Sequence, residues 1–160
     1  MDITKLQKLR EQTSASILEC RKALVESNDD LDKAVELLKS WGQAVSSKRD
    51  ARTTGDGMIA SYVHNTGKIA ALVELRCETD FVARNEEFKK LGYTLAMQVT
   101  AMNPTYVKPE GSTEVENKED YLYLQSCITD SSQTIQQLIE SHASKFGEKI
   151  EVTRFTRFQI

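Results

Sequence analysis

Apolar side chains recur at helical spacing in three short stretches near the N-terminus, three, four and seven positions apart. The stretches are Ile3, Leu6 and Leu9, then Ile17, Cys20 and Leu24, then Leu31, Ala34, Val35 and Leu38. Thr13 or Ser14 can cap the second helix, with a competing capping box that starts at Ser16. Gly42 suits a left-handed C-cap of the third. We therefore predict a compact three-helix module over residues 1–43.

A linker and a β-hairpin are predicted next. Residues 44–57 are polar and net positive, and they include two glycines, which is typical of a linker. The runs 58–64 and 68–77 then alternate like strands around a three-residue loop, in which Gly67 can supply the positive φ of a bulge. The second run puts one set of residues on a single face: Ile69, Ala71, Val73, Leu75 and Cys77.

A long helix is predicted from about residue 80 to 102, where Asn-Pro ends it. Its apolar stripe is Phe81, Phe88, Leu91, Leu95, Val99 and Met102. Residues 105–120 have the composition of a surface loop, with a local acidic excess. The predicted helix therefore leads from the hairpin into a long irregular connection.

The C-terminal part is predicted to be a helix and a strand. Ile135, Leu138 and Ile139 have helical spacing, and Phe-Gly at 146–147 ends that helix. The strand over 149–160 alternates and then slips phase, which a bulge near Thr153 explains. The order hairpin, helix, helix, strand predicts an α+β core domain over 58–160, with a three-stranded antiparallel sheet packed with helices.

Composition excludes several kinds of partner. The 160 residues carry 21 Lys and Arg against 24 Asp and Glu, a net charge of −3, so the basic excess of a nucleic-acid binder is missing. The longest apolar run, 69–73, is far shorter than the roughly 20 residues that span a bilayer. The first residues lack the features of a leader peptide, so we expect a cytoplasmic protein with no membrane contact.

The cysteines and histidines do not suggest a metal site. Cys20, Cys77 and Cys127 are odd in number and widely spaced, and only two histidines accompany them. This pattern differs from a disulfide framework and from a zinc site. We expect three reduced, buried thiols, with no metal and no cofactor.

Catalytic chemistry is not indicated either. The sequence holds no Gly-rich phosphate loop. A Cys77–His64 nucleophile and base can be drawn across the hairpin, but no third group that would orient the base is visible, and a packed cysteine beside a loop histidine is the simpler interpretation. We therefore predict that the chain is not an enzyme.

The junction between the hairpin and the long helix is unusual. Thr79 or Asp80 can cap the helix, which places a carboxylate and the large aromatic Phe81 on its first turn. In one interpretation Phe81 simply starts the core stripe, in register with Phe88. In the other, Phe81 projects from the helix end into a pocket of a partner, where buried aromatic side chains dominate binding energy.

Three segments of the sequence resemble the elongation factor Ts family. They are residues 9–24, residues 74–85, which read Glu-Leu-Arg-Cys-Glu-Thr-Asp-Phe-Val-Ala-Arg-Asn, and residues 146–158. The second is the most diagnostic. The resemblance covers nearly the whole chain except about 105–120. It implies an N-terminal module of ubiquitin-associated type over 1–43 followed by the α+β core.

The resemblance implies a guanine-nucleotide exchange factor for the translational GTPase elongation factor Tu. The partner-binding residues that it implies are Thr79, Asp80, Phe81 and Val82 in the second segment, and Arg10, Ile17 and Leu18 in the N-terminal module. Asp80 and Phe81 would intrude near the partner's magnesium and nucleotide phosphates, while the module holds its GTPase domain. GDP and the factor are expected to weaken each other's binding to the partner. The factor is therefore expected to bind the partner in both its GDP-bound and its nucleotide-free states.

The sequence departs from the family at informative positions. Gln98 stands where members often carry a histidine that helps to disturb the partner, and it is retained as a candidate contact. Only the 105–120 loop stands where long members have a second core subdomain, so the chain resembles the short form. Short members dimerise, so a homodimer is expected. Thr156 replaces a cysteine of some short members, which rules out an intersubunit disulfide there.

Two alternatives belong to other classes of protein. The helical segment from Thr13 to Gly42 has the shape of a ubiquitin-associated domain and would suit an adaptor, although that leaves 58–160 unexplained. A thiol enzyme that uses Cys77 is the other alternative.

Overall fold

The computed structural model of the chain comprises two compact units, Met1–Ala51 and Arg52–Ile160. The residues that it describes are 3–13, 15, 17–111 and 115–160, with the backbone alone for 43–47. Ser14 and Ser16, two of the three predicted caps, and Ser112, in the predicted loop, lie outside this described part, whereas the third, Thr13, is the last residue of the first helix. Each unit has its own hydrophobic core.

The first unit consists of three helices, as predicted. They are α1 (Ile3–Thr13), α2 (Ile17–Glu26) and α3 (Leu31–Asp50). Their core is formed by Leu9, Cys20, Ala23, Leu24, Ala34 and Leu38. Asp30 caps α3 by accepting a hydrogen bond from the backbone N–H of Lys33 at 3.2 Å.

Helix α3 continues past the position at which the sequence predicted its end. Gly42 lies inside the helix and does not have a positive φ, so the predicted left-handed cap is wrong. One glycine costs a helix only about 1 kcal/mol relative to alanine, too little to stop it between residues that tolerate helix. The segment 44–57 therefore holds the last turns of α3 and the start of the first strand.

The second unit contains a three-stranded antiparallel sheet. Its strands are β1 (Asp56–Val63), β2 (Ile69–Cys77) and β5 (Glu151–Gln159), in the order β1-β2-β5. Gly67 has φ +68° in the hairpin loop, as predicted. Glu74 faces Arg154 whereas the next residue of β2 faces Val152, so Thr153 is the extra residue of the predicted bulge.

Among its described residues this unit has the α-helices α4 (Asp80–Ala83), α5 (Glu86–Met102) and α6 (Ile135–Phe146), and a 3-10 turn at Leu122–Leu124. A small hairpin that the sequence did not predict, β3 (Ser126–Cys127) and β4 (Asp130–Thr134), precedes α6. It is too short and polar to show strand alternation. Of the predicted loop, the described residues 105–111 and 115–120 are largely irregular, as predicted, and the segment ends in a turn of 3-10 helix, Lys118–Asp120.

The core of the second unit lies between one face of the sheet and α5. The inner face of β2 and the apolar stripe of α5 are both buried, and their residues are Ala71, Val73, Leu75, Cys77, Phe88, Leu91, Leu95 and Val99. Helix α5 approaches β1 closely at Gly92, where a Cβ would lie 2.9 Å from the Cβ of Ala60. The opposite face of the sheet presents exposed apolar side chains such as Ile59 and Phe158.

Candidate functional site

Helix α4 presents two side chains outward from the end of β2. Phe81 is 83% exposed, and the neighbouring Asp80 is partly exposed and pairs with Arg84 at 3.2 Å. Val82 and Ala83 on the same short helix are buried in the core. Because the two buried residues anchor one side of this single turn, Phe81 is displayed on the other.

The predicted single helix over 80–102 is wrong, because the chain breaks after α4. Asn85 caps a new helix by accepting the N–H of Glu87 at 2.8 Å, and α5 begins there. The break changes the helical phase, so Phe81 does not share a face with Phe88, which is fully buried. The interpretation that Phe81 starts the core stripe is therefore excluded.

Two other candidate residues lie inside the second unit. Val82 belongs to the core, and Gln98 is completely buried. The Gln98 amide donates to Gln125 Oε1 at 3.0 Å and to the carbonyl of Ser126 at 3.1 Å, and it accepts the N–H of Ile128 at 2.9 Å. Either side chain could contact a partner directly only if the core opened. The partner-binding roles of Val82 and Gln98 therefore stay predictions. The sequence signal for this buried network is a polar residue, Gln98, three positions after Leu95 on an otherwise apolar helix face.

The first unit presents the other candidate contacts. Leu18 is 77% exposed and Ile17 is exposed on the first turn of α2, while Arg10 is exposed on α1. Cys20 and Leu24, on the same helix as the apolar pair, are buried. Helix α2 therefore combines a core face with an outward apolar pair.

The thiols do not form a reactive site. All three cysteines are free and buried, as predicted. Burial, together with the nearby carboxylates of Glu148 and Asp56, raises the pKa of Cys77 to about 11. In the strand register Cys77 lies opposite Asp56 at one end of the hairpin, whereas the backbone N–H of His64 donates to the carbonyl of Ile69 at the other end. At roughly 3.3 Å per strand residue, the two ends are about 25 Å apart. A Cys77–His64 nucleophile and base is therefore excluded, and the interpretation of Cys77 as a packed, buried thiol is confirmed.

The described residues contain neither a cluster of metal ligands nor a membrane-spanning helix. Within the described ranges, no three His, Cys, Asp or Glu side chains come together as metal ligands would. Among the helices of that same part of the chain, none has both the length and the apolar character needed to cross a membrane.

The fold is of the α+β class, with one unit that exposes an aromatic side chain and a helical unit that exposes an apolar pair. A family model described as Elongation factor TS matches residues 3–123 and 78–160. The chain belongs to the elongation factor Ts family, and its role is that of a translation elongation factor. The resemblance seen in residues 9–24 and 74–85 is thereby confirmed.

Similar curated proteins cover the chain end to end. The Elongation factor Ts of a Thermotoga species is 44% identical over 191 aligned positions, which cover 100% of this chain and 95% of that protein. The protein of the same name from Leptospira biflexa is 41% identical and covers 97% of this chain. That from Fervidobacterium nodosum is 38% identical with the same coverage. The alignments are longer than the chain, so these relatives carry additional residues.

Proposed function

We propose that the chain is a guanine-nucleotide exchange factor for elongation factor Tu. The observation that carries this proposal is the display of Phe81, 83% exposed, beside the carboxylate of Asp80 on a helix anchored in the core. Exposure of so large an aromatic side chain to water is unfavourable. Its burial by a partner would therefore contribute strongly to the free energy of binding. Membership in the elongation factor Ts family supports elongation factor Tu as that partner.

The mechanism is displacement rather than bond chemistry. GDP is held in a GTPase largely through Mg²⁺ and the phosphate-binding loop. Insertion of Phe81, with Asp80 beside it, would disturb that region and weaken GDP binding. By reciprocity, GDP weakens the binding of the factor to elongation factor Tu. The factor therefore meets the same partner in its GDP-bound and its nucleotide-free states. The proposal requires no cofactor, metal or catalytic residue of this chain, and it places the protein in the cytoplasm, where translation occurs.

The N-terminal unit supplies a second contact in this proposal. The apolar pair Ile17 and Leu18, with Arg10 on α1, would hold the GTPase domain of the partner. Leu18→Ala is expected to raise the concentration of factor that gives half-maximal exchange. The maximal rate would change less, because this contact binds the partner without disturbing the nucleotide.

Stopped-flow release of fluorescently labelled GDP from elongation factor Tu tests the proposal. The wild-type chain is expected to accelerate release strongly, and Phe81→Ala to reduce that acceleration by about 30-fold or more, as for loss of a central aromatic contact. Tyr93→Ala, which removes a half-exposed aromatic side chain from α5, is the matched control. No acceleration by wild type, or equal acceleration by Phe81→Ala, would refute the exchange mechanism.

We propose further that two copies associate through the outer face of the sheet. That face carries exposed apolar side chains: Ile59, Val63, Leu72 and Phe158. A two-fold pairing of such faces would bury them together, as in aligned sheet packing. Sedimentation equilibrium is expected to give the mass of a dimer for wild type and of a monomer for Leu72→Asp. A wild-type monomer at tens of micromolar would contradict this arrangement.

A further inference from the structure

The segment that joins β2 to α4 is held by the turn after α6. The carboxylate Oε2 of Glu148 accepts hydrogen bonds from the backbone N–H groups of Glu78 and Thr79, both at 3.1 Å. Its Oε1 accepts the hydroxyl of Thr79 at 2.5 Å. One carboxylate is therefore bonded three times to the two residues that directly precede Asp80 and Phe81.

A second carboxylate makes the reciprocal connection. Glu78 Oε1 accepts the backbone N–H of Lys149 at 2.6 Å and the guanidinium of Arg52 at 3.2 Å. We call Glu78, Thr79, Glu148 and Lys149 the clasp. Hydrogen bonds to an ionised carboxylate are roughly twice as strong as neutral ones, so the clasp fixes the chain on the N-terminal side of α4.

Helix α4 depends on such support. It has four residues, far fewer than an isolated helix needs to be stable. Thr79 is its N-cap residue, but the Thr79 side chain makes no capping bond and donates its hydroxyl to Glu148 instead. Val82 and Ala83 hold the helix to the core. The direction of Phe81 is thus set by the core on one side and by the clasp on the other.

We propose that Glu148 is a positioning residue that keeps Asp80 and Phe81 oriented for the partner, an inference that rests on the proposed exchange function. Glu148 acts through Glu78 and Thr79, to which its hydrogen bonds go. With the clasp opened, α4 would adopt several orientations, and only the competent fraction would act on the partner. The acceleration of GDP release would fall to that fraction of the wild-type value while the core stays folded.

The test combines two measurements on the full chain. In the free protein, Glu148→Ala is expected to speed amide hydrogen exchange at Glu78 and Thr79 by tenfold or more, with the amides of central strand β2 unchanged. In the labelled-GDP assay it is expected to lower the maximal acceleration by about tenfold, as for loss of charge-assisted hydrogen bonds. Glu148→Gln keeps the shape of the side chain and one accepting oxygen. It should therefore recover part of the slow amide exchange and part of the maximal acceleration. Glu140→Ala is the matched control, because the Glu140 carboxylate accepts a hydrogen bond from the Gln136 side chain within α6 rather than from the 78–79 backbone.

The outcomes separate this inference from the proposed function. Full acceleration by folded Glu148→Ala, with wild type active and Phe81→Ala inactive, overturns the positioning role and leaves the exchange function intact. Uniformly faster exchange throughout the second unit also overturns it, because that indicates a general structural role. An inactive wild type refutes the exchange function, while unchanged Glu78 and Thr79 amides refute the clasp itself. Should Glu148→Ala fail to fold, a comparison of Glu148→Gln with wild type and with Glu140→Ala gives the same decision.

Discussion

Two phenylalanines seven positions apart provide the sharpest test of the structure. In the sequence Phe81 and Phe88 fall on one predicted helical face, but the structure leaves the first 83% exposed and the second fully buried. Phe88→Ala removes a ring from the core between α5 and the sheet, and such truncations cost about 3–5 kcal/mol. Phe81→Ala removes a side chain that is already in water and should change stability by less than about 0.5 kcal/mol.

Thermal and urea unfolding of the two variants measure this difference directly. For a unit of about 100 residues, 1 kcal/mol corresponds to roughly 5 °C, so Phe88→Ala should lower the midpoint of the second unit by about 15–25 °C. The Phe81→Ala midpoint should lie within about 3 °C of wild type. Comparable destabilisation by both variants would show that the chain forms one continuous helix over 80–102 and would refute the separation of α4 from α5.

Three further predictions concern packing, pH and reactivity. Gly92→Val should destabilise the second unit by about 1–3 kcal/mol, because the new valine Cβ has no room against β1. Gly42→Ala should instead stabilise α3 by about 1 kcal/mol, because the space around Gly42 is open. Urea unfolding measures both changes. The hydrogen bond from Arg154 holds the pKa of Glu74 at about 2, below its usual 4.5, so this interaction stabilises the fold above about pH 4.5 and is lost as the pH falls towards 2. The loss of stability over that interval, followed by denaturant titration at several pH values, should be smaller in Glu74→Gln. Because its pKa is raised, buried Cys77 should resist iodoacetamide at pH 8 until the chain is unfolded, as peptide mass mapping would show; rapid labelling of the folded chain would contradict this.

Much of the fold follows from local patterns. The hairpin, its Gly67 loop and the buried face of β2 were predictable because a half-buried strand alternates with a period of two. The bulge at Thr153 was predictable from the phase slip of the last strand, since an extra residue reverses the alternation. The end of α6 at Gly147, which has φ +72°, follows from the preference of left-handed caps for glycine.

The site was only partly predictable. The Thr79–Phe81 junction is conspicuous in the sequence, but its helical register favoured a buried Phe81. The break at Asn85 decides the matter, and a capping residue inside a continuous helical pattern is a weak signal. Glu148 and Gln98 make their hydrogen bonds to residues 27 to 70 positions away, and no local pattern encodes such a distance.

The sequence by itself determined the class of fold, the order of its main elements apart from the β3–β4 hairpin and the break after α4, the absence of a basic surplus, and the family to which the chain belongs. The first three depend on composition and on side-chain periodicity, which are local, whereas the family follows from the resemblance of particular segments such as residues 74–85. Only the tertiary structure decided that Phe81 points outward, that Gln98 is buried and that Glu148 holds the start of α4. Those outcomes depend on which distant segments meet, because a short helix takes its direction from the core and the hydrogen bonds around it.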